Sequence, residues 1–193
     1  MSETQLTLDD VIQITQEVGE EWAVAHAKRL IELVKQISAD IPYDSHIMEL
    51  ATYMHDWGAF SKYAQKNVEH AIRSRHVVEA EILPRLDLTP AQKDILLETI
   101  ELHDYRDMRP TKSNEALLLR EADMLEFLGM MGMARDFARG PRNVEACYKR
   151  ILSRIKDIQA RFTLPRAQEI AKVRLERMET CLQWLNEESF GVM

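Results

Sequence analysis

Apolar residues recur every third or fourth position along nearly the whole chain, the period of an α-helix with one buried face. No segment alternates apolar and polar residues as a half-buried strand does, and no Asn-Gly or Asp-Gly pair offers a hairpin turn. Neither an internal repeat nor a low-complexity tract is visible. The expected fold class is therefore all-α.

Caps and breakers divide the pattern. Thr7 caps a first helix over 8–18, and Gly19 breaks or bends it. A second helix over about 20–39 carries Trp22, His26, Leu30, Leu33 and Ile37 on one stripe. Asp44 caps a helix over 44–56 that buries Ile47, Leu50, Ala51 and Met54 and runs out at His55-Asp56. An irregular loop over 57–66 precedes a helix over 67–83, stopped by Pro84. Thr89-Pro90 starts the next helix, a cap followed by Pro at the first helical position, and that helix ends near His103-Asp104. Ser113 caps a long helix that contains 121–129, and Gly140-Pro141 closes the region. Val144, Tyr148, Ile151, Ile155, Ile158 and Phe162 form one further seam; Ile170, Val173, Met178, Leu182 and Leu185 form another. They read as a helical hairpin over about 142–187 that buttresses the core or pairs two subunits as a homodimer.

A chain of 193 residues with 46% hydrophobic and 30% charged residues fits one domain with a real core. No apolar run approaches a membrane span, and the start lacks the basic and apolar regions of a secretory signal. Cys147 and Cys181 read as reduced thiols, so a cytoplasmic protein is expected. A net charge of −7 argues against broad nucleic-acid binding and suits a small substrate. The Arg- and Lys-rich stretch 142–177 reads as solvated helix faces.

Six polar groups fall on inward-facing positions or inner helix ends: His26, His55, Asp56, His70, His103 and Asp123. Taken singly, each has a bland reading: a core histidine bonded to a carbonyl, or a helix-end acid. Together they need partners, because an unpaired buried carboxylate is costly. A divalent ion serves imidazole and carboxylate alike, and these donors suit Zn, Mn, Fe, Co or Ni. His76 reads as packing with Ile72, Ala80 and Leu83, and His46 as an exposed helix start; neither is expected in a site.

In this order and context the residues resemble the HD superfamily of metal-dependent phosphohydrolases, whose pattern is H…HD…D. Trp22-Ala-Val-Ala-His26-Ala-Lys-Arg29 is similar to the family's first ligand helix. His70-Ala-Ile-Arg-Ser74 resembles the His-x-x-x-Ser helix of small stand-alone bacterial members. The stretch from Glu115 to Arg135 resembles their last ligand helix, with Glu121, Met124 and Glu126 departing from its common residues. The resemblance covers about 20–139 and implies an HD-domain helical bundle, a single domain over 1–193. It implies one divalent metal (Mn, Fe, Co, Ni, Zn or Mg) on His26, His55, Asp56 and Asp123. His70 and His103 would hold a second ion or bind phosphate. Two His and two Asp make a neutral site for a dication. Asp56 would also orient the attacking water, and Arg29, Lys112 and Arg106 would neutralise phosphate.

The resemblance implies hydrolysis of a small phosphorylated metabolite, most of all a nucleotide, through metal-activated water. Two alternatives share the same residues: a di-iron oxygenase of this fold, and a nucleotide-sensing module without turnover.

Overall fold

The structure, a computed structural model, describes residues 5–140 and 142–192. The N-terminal Met-Ser-Glu-Thr and Pro141 of the Gly140-Pro141 break lie outside them. All regular elements among the described residues are helical. The chain divides into two compact units, one up to Arg120 and one from Glu121.

The first unit begins with α1, Leu8–Ser38, capped by a reciprocal Thr7–Asp10 box. The expected break falls one residue after Gly19, where Glu20 has φ 57° and kinks an otherwise continuous helix. Helix α2, Ser45–Met54, packs on α1 and on α4, Pro90–Glu101. Both start as the sequence predicts. Asp44 accepts from the backbone N–H groups of His46 and Ile47, and Thr89 forms a capping box with Gln92. The buried faces of the three helices carry Leu30, Leu33, Ile37, Ile47, Leu50, Met54, Leu96 and Ile100, each at most 3% exposed.

Between α2 and α4 the chain is less regular than expected. Two short 3-10 turns, Trp57–Ala59 and Ser61–Tyr63, occupy the predicted loop. Helix α3, His70–Val77, starts three residues later than predicted, since Asn67 has φ 61° and cannot be helical. It runs on into a π-helical turn over Val78–Ile82 and a 3-10 turn over Leu83–Arg85. The buried side of α3 is Ala71, Ser74 and Val78. His76, two residues and roughly 200° on from Ser74, is exposed, so the reading of His76 as packing is corrected. His46 is exposed, as expected.

Helix α5, Asn114–Glu126, starts in the first unit and ends in the second. Its start is tied to α2, where the Asp44 N–H donates to Glu115 at 2.7 Å. The single long helix predicted here is two. Phe127 and Leu128 turn the chain, Gly129 takes φ 74°, and α6 runs over Gly129–Arg139. A Cβ on Gly132 would sit 2.1 Å from the Phe127 carbonyl oxygen, so only Gly fits that reversal. Helix α6 packs on α7, Val144–Ile158, and on α8, Pro165–Glu188. Glu121, 1% exposed, accepts from the N–H of Thr163 at 2.8 Å and of Leu164 at 3.1 Å. Its carboxylate thus satisfies the start of α8, which has no side-chain cap of its own. The predicted seams hold at Ile151, Ile155, Ile158, Met178 and Leu182, but Val144 and Val173 are exposed at the outer edges of their helices.

Candidate metal centre

Four imidazoles meet inside the first unit, each delivered by a different element. His26 lies on the buried stripe of α1, His55 caps the C-terminus of α2, His103 follows α4, and His70 opens α3. Their rings follow one another at centroid spacings of 5.3 Å (His26–His55), 4.7 Å (His55–His103) and 5.1 Å (His103–His70). His26, His55 and His103 are at most 2% exposed, while His70 is the open end of the row, with its side chain 19% exposed.

Two of the rings are locked by the helix ends that carry them. His55 Nδ1 lies 2.7 Å from the Thr52 carbonyl, and His103 Nδ1 lies 2.7 Å from the Ile100 carbonyl. A carbonyl only accepts, so Nδ1 carries the proton and donates in both. In the neutral ring Nε2 then presents its lone pair inward, the state a metal ligand needs.

The Asp56 carboxylate stands among these nitrogens. Its Oδ2 faces His55 Nε2 at 3.6 Å and His26 Nε2 at 3.9 Å. Its Oδ1 faces His70 Nε2 at 3.3 Å and His103 Nε2 at 3.7 Å. Burial pushes its pKa up, but the imidazoles of His55, His103 and His70 outweigh that and hold it well below the usual carboxylate range.

The donor set fits a divalent metal. Two ligands about 2.1 Å from one ion, at a tetrahedral angle, lie roughly 3.4 Å apart. The carboxylate-to-imidazole spacings cluster near that value, and His55, Asp56 and His103 each offer an atom within 4.8 Å of the others. Imidazole nitrogen with carboxylate oxygen also matches the ligand preference of Zn, Fe, Mn, Co and Ni.

The segment after His55-Asp56 is pinned from two sides. Trp57, fully buried, donates its indole N–H to Thr15 Oγ1 at 3.1 Å, and that hydroxyl donates back to the Val11 carbonyl at 2.8 Å. The Gly58 N–H donates to Ser74 Oγ at 2.8 Å, and Ser74 Oγ donates to the His70 carbonyl at 3.0 Å. A Cβ on Gly58 would sit 2.2 Å from the His70 carbonyl oxygen. The spacing His70-x-x-x-Ser74 therefore has a physical account: one turn of α3 positions His70 and, through Ser74, grips the backbone just past Asp56.

Asp104 is the residue that sequence reasoning passed over. It is 7% exposed, lies 3.6 Å from His70 Nδ1, and holds the Arg106 guanidinium through both carboxylate oxygens. Burial raises its pKa, but the hydrogen bonds from Arg106 prevail and lower it. The signal was present, since His103-Asp104 repeats the His55-Asp56 pair at a second helix end. Arg106, a candidate for phosphate, is thus engaged by Asp104. Arg29 is half-buried on α1, one turn past His26, and Lys112 is exposed. Asp123 belongs to the second unit, on α5, and is 7% exposed.

No protein-family model matches the sequence, and no curated protein matches it. Solved structures do. Bacillus subtilis YpgQ in complex with ADP superposes with a TM-score of 0.68 at 19% identity, over 94% of this chain and 97% of that one. A predicted HD superfamily hydrolase from an uncultured Thermotogales bacterium gives 0.67 at 19% identity, over 94% and 92%. An HD-superfamily hydrolase from Bacillus thuringiensis gives 0.65 at 18% identity, over 94% and 96%. The chain has the HD-superfamily fold. Of the H…HD…D order, the HD fold here brings His26, His55 and Asp56 together, and adds His70 and His103 to them. No helix among the described residues is long and apolar enough to cross a membrane.

Proposed function

We propose that the chain is a metal-dependent phosphohydrolase of a small phosphorylated metabolite, with a nucleotide as the first class to test. One observation carries the reading: a single carboxylate, Asp56, turns one oxygen to His26 and His55 and the other to His70 and His103. That arrangement suits one ion on the first pair and a second on the other, with Asp56 shared. The ADP in YpgQ supports the nucleotide class for a chain of the same fold.

His26, His55, Asp56 and Asp123 would hold the first ion. For Asp123 the support is the H…HD…D order and its place on α5. A bound dication lowers the pKa of a coordinated water toward neutrality and offsets charge on a phosphoryl oxygen. The chain's own groups do the rest. Asp56, ionised at neutral pH, accepts a hydrogen bond from the attacking water and aims its oxygen at phosphorus. The bond from the water oxygen to phosphorus forms as the phosphorus–oxygen bond to the leaving group breaks; the water gives up a proton to solvent, and the leaving group takes one from solvent. His70, at the open end of the row, meets the substrate first; Arg29 adds positive charge one turn from His26.

The test is metal analysis of the purified protein, followed by phosphate or pyrophosphate release over a nucleotide panel, with Asp56→Asn alongside. Release that depends on metal and is lost in Asp56→Asn supports the proposal. Tight nucleotide binding without release would replace it with a sensing module. Two bound irons with oxygen uptake would replace it with an oxygenase.

A further inference from the structure

The row of rings does not end at His26. The His26 imidazole carries a fifth ring, the Trp22 indole, with centroids 5.2 Å apart and planes 21° from parallel. Trp22 lies four residues before His26 on α1, so the two side chains leave the same side of the helix. Phe60 meets the indole in turn, in a T-shape with centroids 5.9 Å apart and planes at 72°. The indole is therefore held between two rings, in the stacked and edge-to-face arrangements that aromatic pairs favour.

Two features of the backbone make room for this arrangement. Helix α1 is kinked at Glu20, φ 57°, just before the turn that carries Trp22. A left-handed residue other than glycine is costly and persists where its surroundings enforce it. Gly19, beside the kink, leaves the notch that Phe60 fills: a Cβ there would sit 2.5 Å from Phe60 Cζ and 2.5 Å from Ala23 Cβ. Phe60 itself closes the 3-10 turn Trp57–Ala59, directly after the segment that supplies His55 and Asp56. That segment thus reaches back, through Phe60, to the indole that lies on His26.

We propose that Trp22 is the positioning residue of His26, with Phe60 backing the indole. The inference rests on the reading of the four imidazoles and Asp56 as a metal centre. Backbone carbonyls fix the ring planes of His55 and His103; the indole fixes that of His26. An imidazole that holds a dication is electron-poor, and the indole face is the aromatic surface that best receives such a ring. The stack therefore strengthens when His26 serves as a ligand, so Trp22 contributes to metal affinity beyond what it contributes to packing.

The experiment titrates cobalt(II) into the full-length protein, stripped of metal with chelator, and reads the dissociation constant and the visible absorption of the bound ion. Trp22→Leu keeps an apolar side chain but loses the ring. It should bind cobalt about tenfold more weakly, the low end of the effect of groups that orient a metal ligand, and should shift the absorption bands. Trp22→Phe restores a stacking ring and should recover the parent's bands and its affinity to within about twofold. Phe60→Leu, which removes only the backing, should weaken binding about threefold, and it carries the test should Trp22→Leu not fold. Thermal unfolding of the metal-free variants separates packing from positioning. A lower unfolding temperature with unchanged cobalt binding is a packing role and overturns the proposal; so does a loss in Trp22→Leu that Trp22→Phe does not recover. A parent that binds no cobalt removes the metal centre and this role with it. Cobalt bound alike by the parent and the variants leaves the centre standing and removes the role of Trp22 alone.

Discussion

The chain writes the same dipeptide twice at a helix end, and the two copies do different things. His55-Asp56 closes α2 and His103-Asp104 follows α4. Both histidines are locked by an Nδ1–H to the carbonyl three residues back, at 2.7 Å. Both present Nε2 to the same interior. The carboxylates diverge. Asp56 sits within 3.9 Å of all four imidazoles. Asp104 turns toward Arg106 and meets the row at His70 Nδ1. A His at a helix C-terminus is therefore placed by its own backbone, whereas the Asp after it is placed by what the next few residues allow. After Asp56 comes Trp57-Gly58, buried and gripped by Thr15 and Ser74; after Asp104 comes Tyr105-Arg106, and the arginine draws the carboxylate outward.

The largest expected effect separates the two acids. Asp56→Asn keeps the shape but removes the negative charge that faces all four imidazoles. Metal affinity should fall by more than about 100-fold, beyond the 10–100-fold usual for groups that only orient a ligand. Asp104→Asn should stay within that range, because it acts on His70 alone. Metal stoichiometry and thermal stability measured on both variants check this. Equal losses in the two would abolish the distinction; undiminished metal in Asp56→Asn would remove the centre.

A smaller effect tests why Asp56 turns inward. Gly58→Ala forces a methyl against the His70 carbonyl oxygen, a backbone atom that cannot swing away. A loss of about 1–3 kcal/mol is expected, the usual cost of overpacking. Arg106 holds the equivalent place after Asp104 and is exposed, so Arg106→Ala should cost under about 1 kcal/mol. Urea unfolding of the two variants ranks them. A silent Gly58→Ala would mean that the grip of α3 on the Asp56 segment is not what sets its direction.

The histidines were legible from sequence because helix periodicity and helix-end position fix them locally. Thr7, Asp44 and Thr89 were legible for the same reason, since a cap is a contact within one turn. The misreadings share the opposite cause. His76 was assigned inward from an apolar count that ran across the π turn at Val78–Ile82, where the period changes. Asp104 looked like the start of a loop because its partner, Arg106, acts through a turn that no periodicity describes. Arg135 and Arg139 of α6 and Arg150 and Arg154 of α7, gathered around Phe127 and Asp136, are spaced for exposed faces on each helix taken alone. Only the packing of α6 on α7, made by the reversal at Gly129 and Gly132, brings them together.

The smallest effect compares how the two His-Asp helices begin. Helix α2 starts on a carboxylate. Asp44 accepts from two backbone N–H groups and from Gln92 Nε2 at 2.9 Å, and the Gln92 hydrogen bond, ahead of burial, which opposes it, lowers its pKa from 3.8. Helix α4 starts on Thr89, which does not titrate. Asp44→Ala and Thr89→Ala should each cost about 1 kcal/mol near pH 7, as lost caps do. Their pH dependence should differ. The folded pKa of Asp44 lies below its unfolded value, so its contribution is complete above about 3.8 and fades as pH falls through the folded value. The stability gap between the parent and Asp44→Ala should therefore be constant from pH 7 to about 5 and shrink below 4. The gap for Thr89→Ala should hold level across the same range. Urea unfolding of parent and both variants at several pH values, down to the acid limit of the fold, decides it. Parallel gaps would show that Asp44 is held by something other than its charge. A gap for Thr89→Ala that closes in acid would show that the Gln92 hydrogen bond to Asp44 carries the titration of that carboxylate into the Thr89 cap.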